Sequence, residues 1–183
     1  DANGVIIWAN RFEFTLLGYT REEYLELVAR LRETMPDLAL STDMIVGFPG
    51  ETADDFEQTL SLTAAARYHS MFSFKYSQRP NTLALKRMPD DVSDEEKTRR
   101  IVALQGLQRT IQGELFEAAV GRIEPVLIDA KSRRREWELS GRTPGNTVVN
   151  LPGDPSWVGR TVRVRITGAN PNSLRGEAVT NAN

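Results

Sequence analysis

Two groups of residues in this chain have types and spacing suited to chemistry. The first is Asp43-Met-Ile-Val-Gly-Phe-Pro-Gly-Glu51, an apolar run that enters a glycine-proline-glycine turn with a carboxylate behind it. Gly47 and Gly50 carry no Cβ, so the backbone there can adopt positive φ and approach a ligand closely, while Pro49 stiffens the loop. A strand that runs through such a turn into a helix is how α/β proteins place small ligands at the C-terminal ends of their strands. A tight strand-to-helix connection with no ligand explains the same residues. The second group is basic: Lys131, Arg133, Arg134, Arg135, Arg142, Arg160, Arg163, Arg165 and Arg175, all in the last third of the chain. Such a set suits phosphate contacts to a nucleic-acid backbone, or an ordinary solvated surface.

Other chemistry is excluded by what the 183 residues lack. There is no cysteine, hence no disulfide, thiolate nucleophile or cysteine-ligated zinc or iron–sulfur site within them, and the single histidine, His69, cannot make a histidine-rich metal site. No residue is assigned a catalytic or metal-binding role. His69 reads as a structural histidine beside a strand, and Asp43, a carboxylate in an apolar strand, needs a hydrogen-bond partner or a ligand.

Three helices must flank the loop, and each is announced by the same device. Thr20-Arg-Glu-Glu23, Thr52-Ala-Asp-Asp55 and Ser93-Asp-Glu-Glu96 are capping boxes, in which the hydroxyl accepts from the third amide and the acid reaches back to the cap amide. They predict helices from Arg21 to about Thr34, Ala53 to about Arg67 and Asp94 to about Val120, the last with Ile101, Leu104, Leu107, Ile111 and Leu115 along its inner face. Strands are expected over Leu38–Val46 and Met71–Tyr76, the second with Phe72, Phe74 and Tyr76 on one face. Alternation of helix and strand implies a parallel βα arrangement, and two strands cannot close a barrel. The open edge predicts self-association.

After Gly121 the pattern changes to five short strands separated by Gly, Pro and Asn: 125–129, 136–140, 147–151, 161–166 and 174–179. Five strands in so short a stretch predict a small antiparallel OB-like barrel, a fold used for single-stranded nucleic acids. Val162, Val164 and Ile166 would point inward and Arg163 and Arg165 outward. Trp137 and Trp157 could stack bases or pack as core or lid. From residue 119 onward there are ten Lys/Arg against six Asp/Glu, a balance of +4, whereas the rest has 13 against 19, a balance of −6. A basic module on an acidic body suggests a polyanionic partner. No apolar run approaches the ~20 residues that span a bilayer, which excludes a membrane helix, and a cytoplasmic location is expected.

Residues 1–18 resemble a snippet of a PAS sensor domain through Asp1, Gly4, Ile6, Asn10 and Leu16-Leu-Gly-Tyr19, with Glu22 and Glu23. From residue 18 to about 179 the motifs GYTREEYLELV, LSTDMIVGFPGETADDF, FKYSQRPNTLA and SGRTPGNTVVN…PNSLRGEAV together resemble the C-terminal half of the MiaB-type tRNA methylthiotransferases. The resemblance implies an α/β (α+β) architecture: a PAS-like fragment over 1–18, part of a radical S-adenosylmethionine βα barrel over 19–118, and a TRAM RNA-binding barrel over 119–183. It implies methylthiolation at C2 of N6-isopentenyladenosine 37 in tRNA, using S-adenosylmethionine and two [4Fe–4S] clusters. Ile45, Gly47, Phe48, Gly50 and Glu51 would line the adenosine side of the cofactor site, and Tyr76, Ser77 and Arg79 would close it. The tRNA anticodon stem-loop would lie on Arg133, Arg134, Arg135, Arg142, Arg163, Arg165, Asn172, Ser173 and Arg175. Gln78 and Asn81 depart from the family's YSPRPGT, which usually has proline and glycine there. The cluster-binding cysteines are absent, so the chain is expected to be a truncated or chimeric form that is catalytically incomplete, with RNA binding alone as the alternative function.

Overall fold

The computed structural model describes residues 20–132 and 137–179. The PAS-like reading of residues 1–18, and Arg133, Arg134 and Arg135, lie outside the described residues. The chain divides into two units, Asp1–Ile111 and Gln112–Asn183.

In the first unit the order is α1 (Arg21–Thr34), β1 (Ser41–Val46), α2 (Ala53–Ala66), β2 (Ser70–Lys75), the short α3 (Leu83–Arg87) and α4, which starts at Asp94 and runs on to Ala119. Two of the capping boxes are complete: Thr20 with Glu23, and Thr52 with Asp55, each exchange both bonds. At the third, Ser93 Oγ accepts from the Glu96 amide, but the Glu96 carboxylate instead holds Arg99 and Arg100. Those hydrogen bonds, Arg99 first, hold the Glu96 carboxyl down at about 2. At the other end of α2, Arg67 adopts a left-handed conformation, and Arg32 donates to the last carbonyls, Ala66 O at 2.6 Å and Arg67 O at 3.0 Å. A cation there satisfies orphan acceptors at the negative end of the helix dipole.

β1 and β2 pair in parallel, Ser41 opposite Ser70 through Val46 opposite Lys75, with α2 as the crossover. On one face Thr42, Met44 and Val46 are buried in a core that contains Tyr24, Val28, Phe56, Leu62, Ala66, Tyr68 and Leu104. The other face carries Asp43 and Ile45 beside Phe72 and Phe74, which remain 64% and 52% exposed. This two-stranded sheet is the parallel βα element expected from the sequence; the described residues contain no βα barrel. The inner stripe of α4 differs from the expected one. Lys97, Arg100, Leu104, Gln108 and Ile111 are buried, while Ile101 and Leu107 are only half-buried.

The second unit is a closed barrel of β3 (Ile123–Lys131), β4 (Glu138–Arg142), β5 (Val148–Pro152), β6 (Thr161–Asn170) and β7 (Ser173–Ala178), in the ring order β3-β4-β5-β7-β6. A 3₁₀ turn at Pro155–Trp157, absent from the sequence reading, precedes β6. The expectation of an antiparallel barrel is corrected: β5 and β7 run parallel, with Val149 opposite Leu174 and Asn150 opposite Arg175. The reason is parity. Strand directions cannot alternate all the way round a closed ring of five, so at least one adjacent pair must be parallel. Here β6 returns to pair with β3 and hairpins into β7, which leaves β7 beside β5 in the same direction. The interior holds Val126, Ile128, Leu139, Val149, Leu151, Val164, Ile166 and Leu174, closed by Phe116. Val164 and Ile166 point inward and Arg163 and Arg165 outward, as the period-two pattern requires.

Candidate nucleic-acid interface and loop site

The outer surface across β4, β5 and β7 forms a polar groove. Ser140 and Arg142 come from β4, Asn150 from β5, Ser173 and Arg175 from β7, Asn170, Pro171 and Asn172 from the β6–β7 turn, and Asp129 to Ser132 from the end of β3. Register explains the convergence, because Ser140 lies opposite Asn150, and Asn150 opposite Arg175. Asn150 Nδ2 donates to Ser173 Oγ at 3.2 Å across the parallel pair. Arg175 lies against Gly168 of β6, where a Cβ would meet its guanidinium at 2.7 Å. Arg142 is braced: it donates to Asn146 Oδ1 at 2.9 Å and lies 3.5 Å from Asp129. Asn146 accepts this from a left-handed turn position, φ 62°, which asparagine tolerates better than most residues.

Of the RNA-binding residues expected from the sequence, the structure brings Arg142, Asn172, Ser173 and Arg175 to this groove. Arg163 and Arg165 are exposed elsewhere on the barrel, opposite Pro125 and Ile123 of β3, and Arg165 also faces Glu177 of β7. Asn150 and Ser140 were not singled out from sequence. Their only signal was outward phase in strands β4 and β5, which becomes informative once the neighbouring strands are known. Trp157 packs on the barrel core, and Trp137 is 59% exposed.

In the first unit, the Gly47–Glu51 loop follows β1 directly. Gly47 and Gly50 both take positive φ, 70° and 81°. The Gly47 amide donates to the Glu51 carboxylate, Glu51 N–H donates to Phe48 O at 2.9 Å, and Gly50 N–H donates to Asp91 Oδ1 at 2.8 Å. Underneath are two buried cations of α4, with side chains only 6% and 5% exposed. Lys97 is paired with Asp90 at 2.6 Å and Arg100 with Glu51 at 3.1 Å. Lys97 also lies 5.4 Å from the centre of the Tyr76 ring. Burial pushes the Glu51 carboxyl up, and this outweighs the Gly47 hydrogen bond and the Arg100 charge that oppose it.

The expected cofactor residues separate by what they touch. Phe48 and Tyr76 meet edge to face, centroids 5.0 Å apart, at the C-terminal ends of β1 and β2. Ile45 lies on the open sheet face, and Glu51 faces Gly47 and Arg100. Ser77 and Arg79 are exposed. Asn81, at the position where the resembled motif has glycine, adopts φ 67°, so the backbone keeps the glycine-type conformation. Of the expected cofactor residues only Phe48 and Tyr76 are in ring contact, and an aromatic pair of this kind is chemically suited to pack against a nucleobase. With no cysteine in the chain, its residues do not fit an iron–sulfur cluster, and the described residues contain no group of three or more acidic or histidine side chains placed to hold a metal ion. His69 is structural: its Nδ1 accepts from the Leu40 amide at 3.2 Å, and burial lowers its proton affinity. No helix among the described residues is long and apolar enough to cross a membrane.

The TRAM domain model matches residues 117–179. The chain is 49% identical over 160 residues to the tRNA-2-methylthio-N(6)-dimethylallyladenosine synthase of Geobacter metallireducens, covering 87% of this chain and 36% of that protein. It is 47% identical over 176 residues to the enzyme of the same name from Geotalea uraniireducens, covering 96% and 38%. The Methylococcus capsulatus enzyme is 47% identical over 162 residues, covering 88% and 35%. The chain thus spans little more than a third of the length of the relatives it matches, and the matched stretch is their C-terminal part. The chain is therefore similar to the C-terminal part of the tRNA-2-methylthio-N(6)-dimethylallyladenosine synthases, and its residues 117–179 match the TRAM domain model.

Proposed function

We propose that this chain is the RNA-holding portion of a tRNA methylthiotransferase, and that its barrel binds the anticodon stem-loop of a tRNA. The observation that carries the reading is the groove lined by the cations Lys131, Arg142 and Arg175 together with the neutral hydrogen-bonding groups of Asn150, Asn172 and Ser173, against which stand the carboxylates Asp129 and Glu138. Cations that hold phosphates, set beside amides that can meet sugar or base edges, are what an RNA interface needs. Arg163 and Arg165 add a flanking positive stripe, and Arg133, Arg134 and Arg135 belong to the same proposed set. In this reading the barrel domain takes residues 119–183, and residues 19–118 are a portion of a radical S-adenosylmethionine barrel in the cytoplasm. Titration of an anticodon stem-loop RNA against the chain at several salt concentrations tests it. Binding that weakens with salt is expected, and absence of binding overturns it.

The contact of Phe48 with Tyr76 favours a second, compatible reading, in which the loop is one wall of an S-adenosylmethionine site. Ile45, Phe48 and Tyr76 would pack against the adenine; Gly47, Gly50 and Glu51 would shape the turn; Ser77 and Arg79 would close the far side. The bound cofactor would supply the methyl group and radical of the family's reaction, while the iron–sulfur ligands must come from outside these residues. The exposed Phe72 and Phe74, on a sheet whose two edges are unpaired among the described residues, favour association with a second copy. A concentration-dependent mass in light scattering is expected, and an invariant monomer would count against it.

A further inference from the structure

We infer that Asn150 and Ser173 form a ribose-reading pair that makes the barrel groove selective for RNA over DNA, a reading that rests on the groove being the RNA site. The pair is defined by its hydrogen bond. Asn150 Nδ2 donates to Ser173 Oγ at 3.2 Å, so the serine oxygen is used as an acceptor and its own proton is left to donate. The amide oxygen of Asn150 is left to accept. An acceptor and a donor therefore stand side by side on the groove surface. A ribose 2′-hydroxyl is both donor and acceptor, and it is the group that distinguishes RNA from DNA at a given contact. It can donate to Asn150 Oδ1 and accept from Ser173 Oγ–H at once, whereas deoxyribose satisfies neither.

Position supports the same assignment. Arg175 lies opposite Asn150 in the parallel register and two residues beyond Ser173, so Ser173 and Arg175 share the outer face of β7. Its guanidinium rests against Gly168 and has no ion pair among the described residues, unlike Arg142, which is held near Asp129. This cation, on the same strand as Ser173 and opposite Asn150, is placed for the phosphate of the same or the adjoining nucleotide. Charge alone would hold any polyanion, and the neutral pair adds the selectivity.

The test is a walk of single 2′-deoxy substitutions through the loop of an anticodon stem-loop RNA, each titrated against the full chain by fluorescence anisotropy. One position should lose about fivefold in affinity, the worth of an ordinary net hydrogen bond. In Asn150→Ala and Ser173→Ala the unmodified RNA should bind correspondingly less well, and the penalty at that position should vanish. If the unmodified stem-loop binds and every deoxy substitution is neutral, the ribose-reading pair is overturned while RNA binding stands. If one position is sensitive and stays equally sensitive in both variants, a different contact reads the ribose and the assignment also fails. If the unmodified stem-loop does not bind, the RNA-site reading itself falls, and the pair with it.

Discussion

Arg100 grips Glu51 twice: its Nη1 donates to the Glu51 backbone carbonyl at 3.0 Å and lies 3.1 Å from the carboxylate of the same residue. Its Nε also reaches Glu96 at 2.8 Å, and its guanidinium lies 5.6 Å from the centre of the Phe56 ring. The Gly47–Glu51 loop is thereby tied to α4. Arg100→Ala should cost about 3–5 kcal/mol in denaturant unfolding, because it strands a buried carboxylate without its cation. Adding Glu51→Gln should recover part of that loss.

Glu51 also sets a pH dependence. Its folded pKa is raised above the unfolded value by burial. Between those two values the folded state binds more protons than the unfolded one, so stability falls as pH rises. The contribution is fully present below the ordinary glutamate range and is lost as pH rises through the folded value. Glu51→Gln should remove this component from unfolding curves measured across the acid range, and Arg100→Ala should widen its window.

The two loop glycines should respond differently to alanine. Both have positive φ, but a Cβ at Gly50 would meet nothing within 4 Å, whereas at Gly47 it would run into Lys97 Cγ. Gly50→Ala should cost about 1–2 kcal/mol, the strain of a left-handed alanine. Gly47→Ala should cost distinctly more and displace Lys97 from its pairing with Asp90. Thermal unfolding of the two variants checks the order.

Tyr24 and Tyr68 share a buried hydroxyl–hydroxyl bond of 2.8 Å, and burial pushes both phenols up. Tyr24→Phe takes the partner from a Tyr68 hydroxyl that sits in a side chain only 1% exposed, so it should cost about 1–3 kcal/mol. The double variant with Tyr68→Phe should cost less than the sum of the singles, and a double-mutant cycle measures the coupling.

On the barrel, Arg175→Ala should weaken RNA binding and reduce the salt slope by about one unit. Arg142→Ala should reduce the slope less, because Asp129 at 3.5 Å already offsets its charge. Anisotropy titrations from low to moderate salt separate the two.

What the sequence made legible was local. The boxes at Thr20 and Thr52 and the helices they open are three-residue relationships, and β6 follows the period-two rule along its own strand. The box at Ser93 forms only one of its two bonds because the Glu96 carboxylate is taken by Arg99 and Arg100, three and four residues further along the same helix. The inner face of α4 was misjudged for a related cause. Lys97, Arg100 and Gln108 share helical phase with Leu104 and Ile111, but polar side chains enter a core only when partners await them, and Asp90 and Glu51 are distant in sequence or in another element. The groove was half legible. Arg142 and Arg175 stood out by charge, whereas Asn150 matters because a strand more than twenty residues later lies beside it.

The parallel seam between β5 and β7 carries a further consequence. It is joined in register at only Val149–Leu174 and Asn150–Arg175, whereas β7 meets β6 along most of its length. A molecule that touches Asn150 on one lip and Arg175 on the other acts as a clasp across that join. If RNA occupies the groove as proposed, binding across this join would stabilise the closed ring, because a ligand that binds only the closed form favours it.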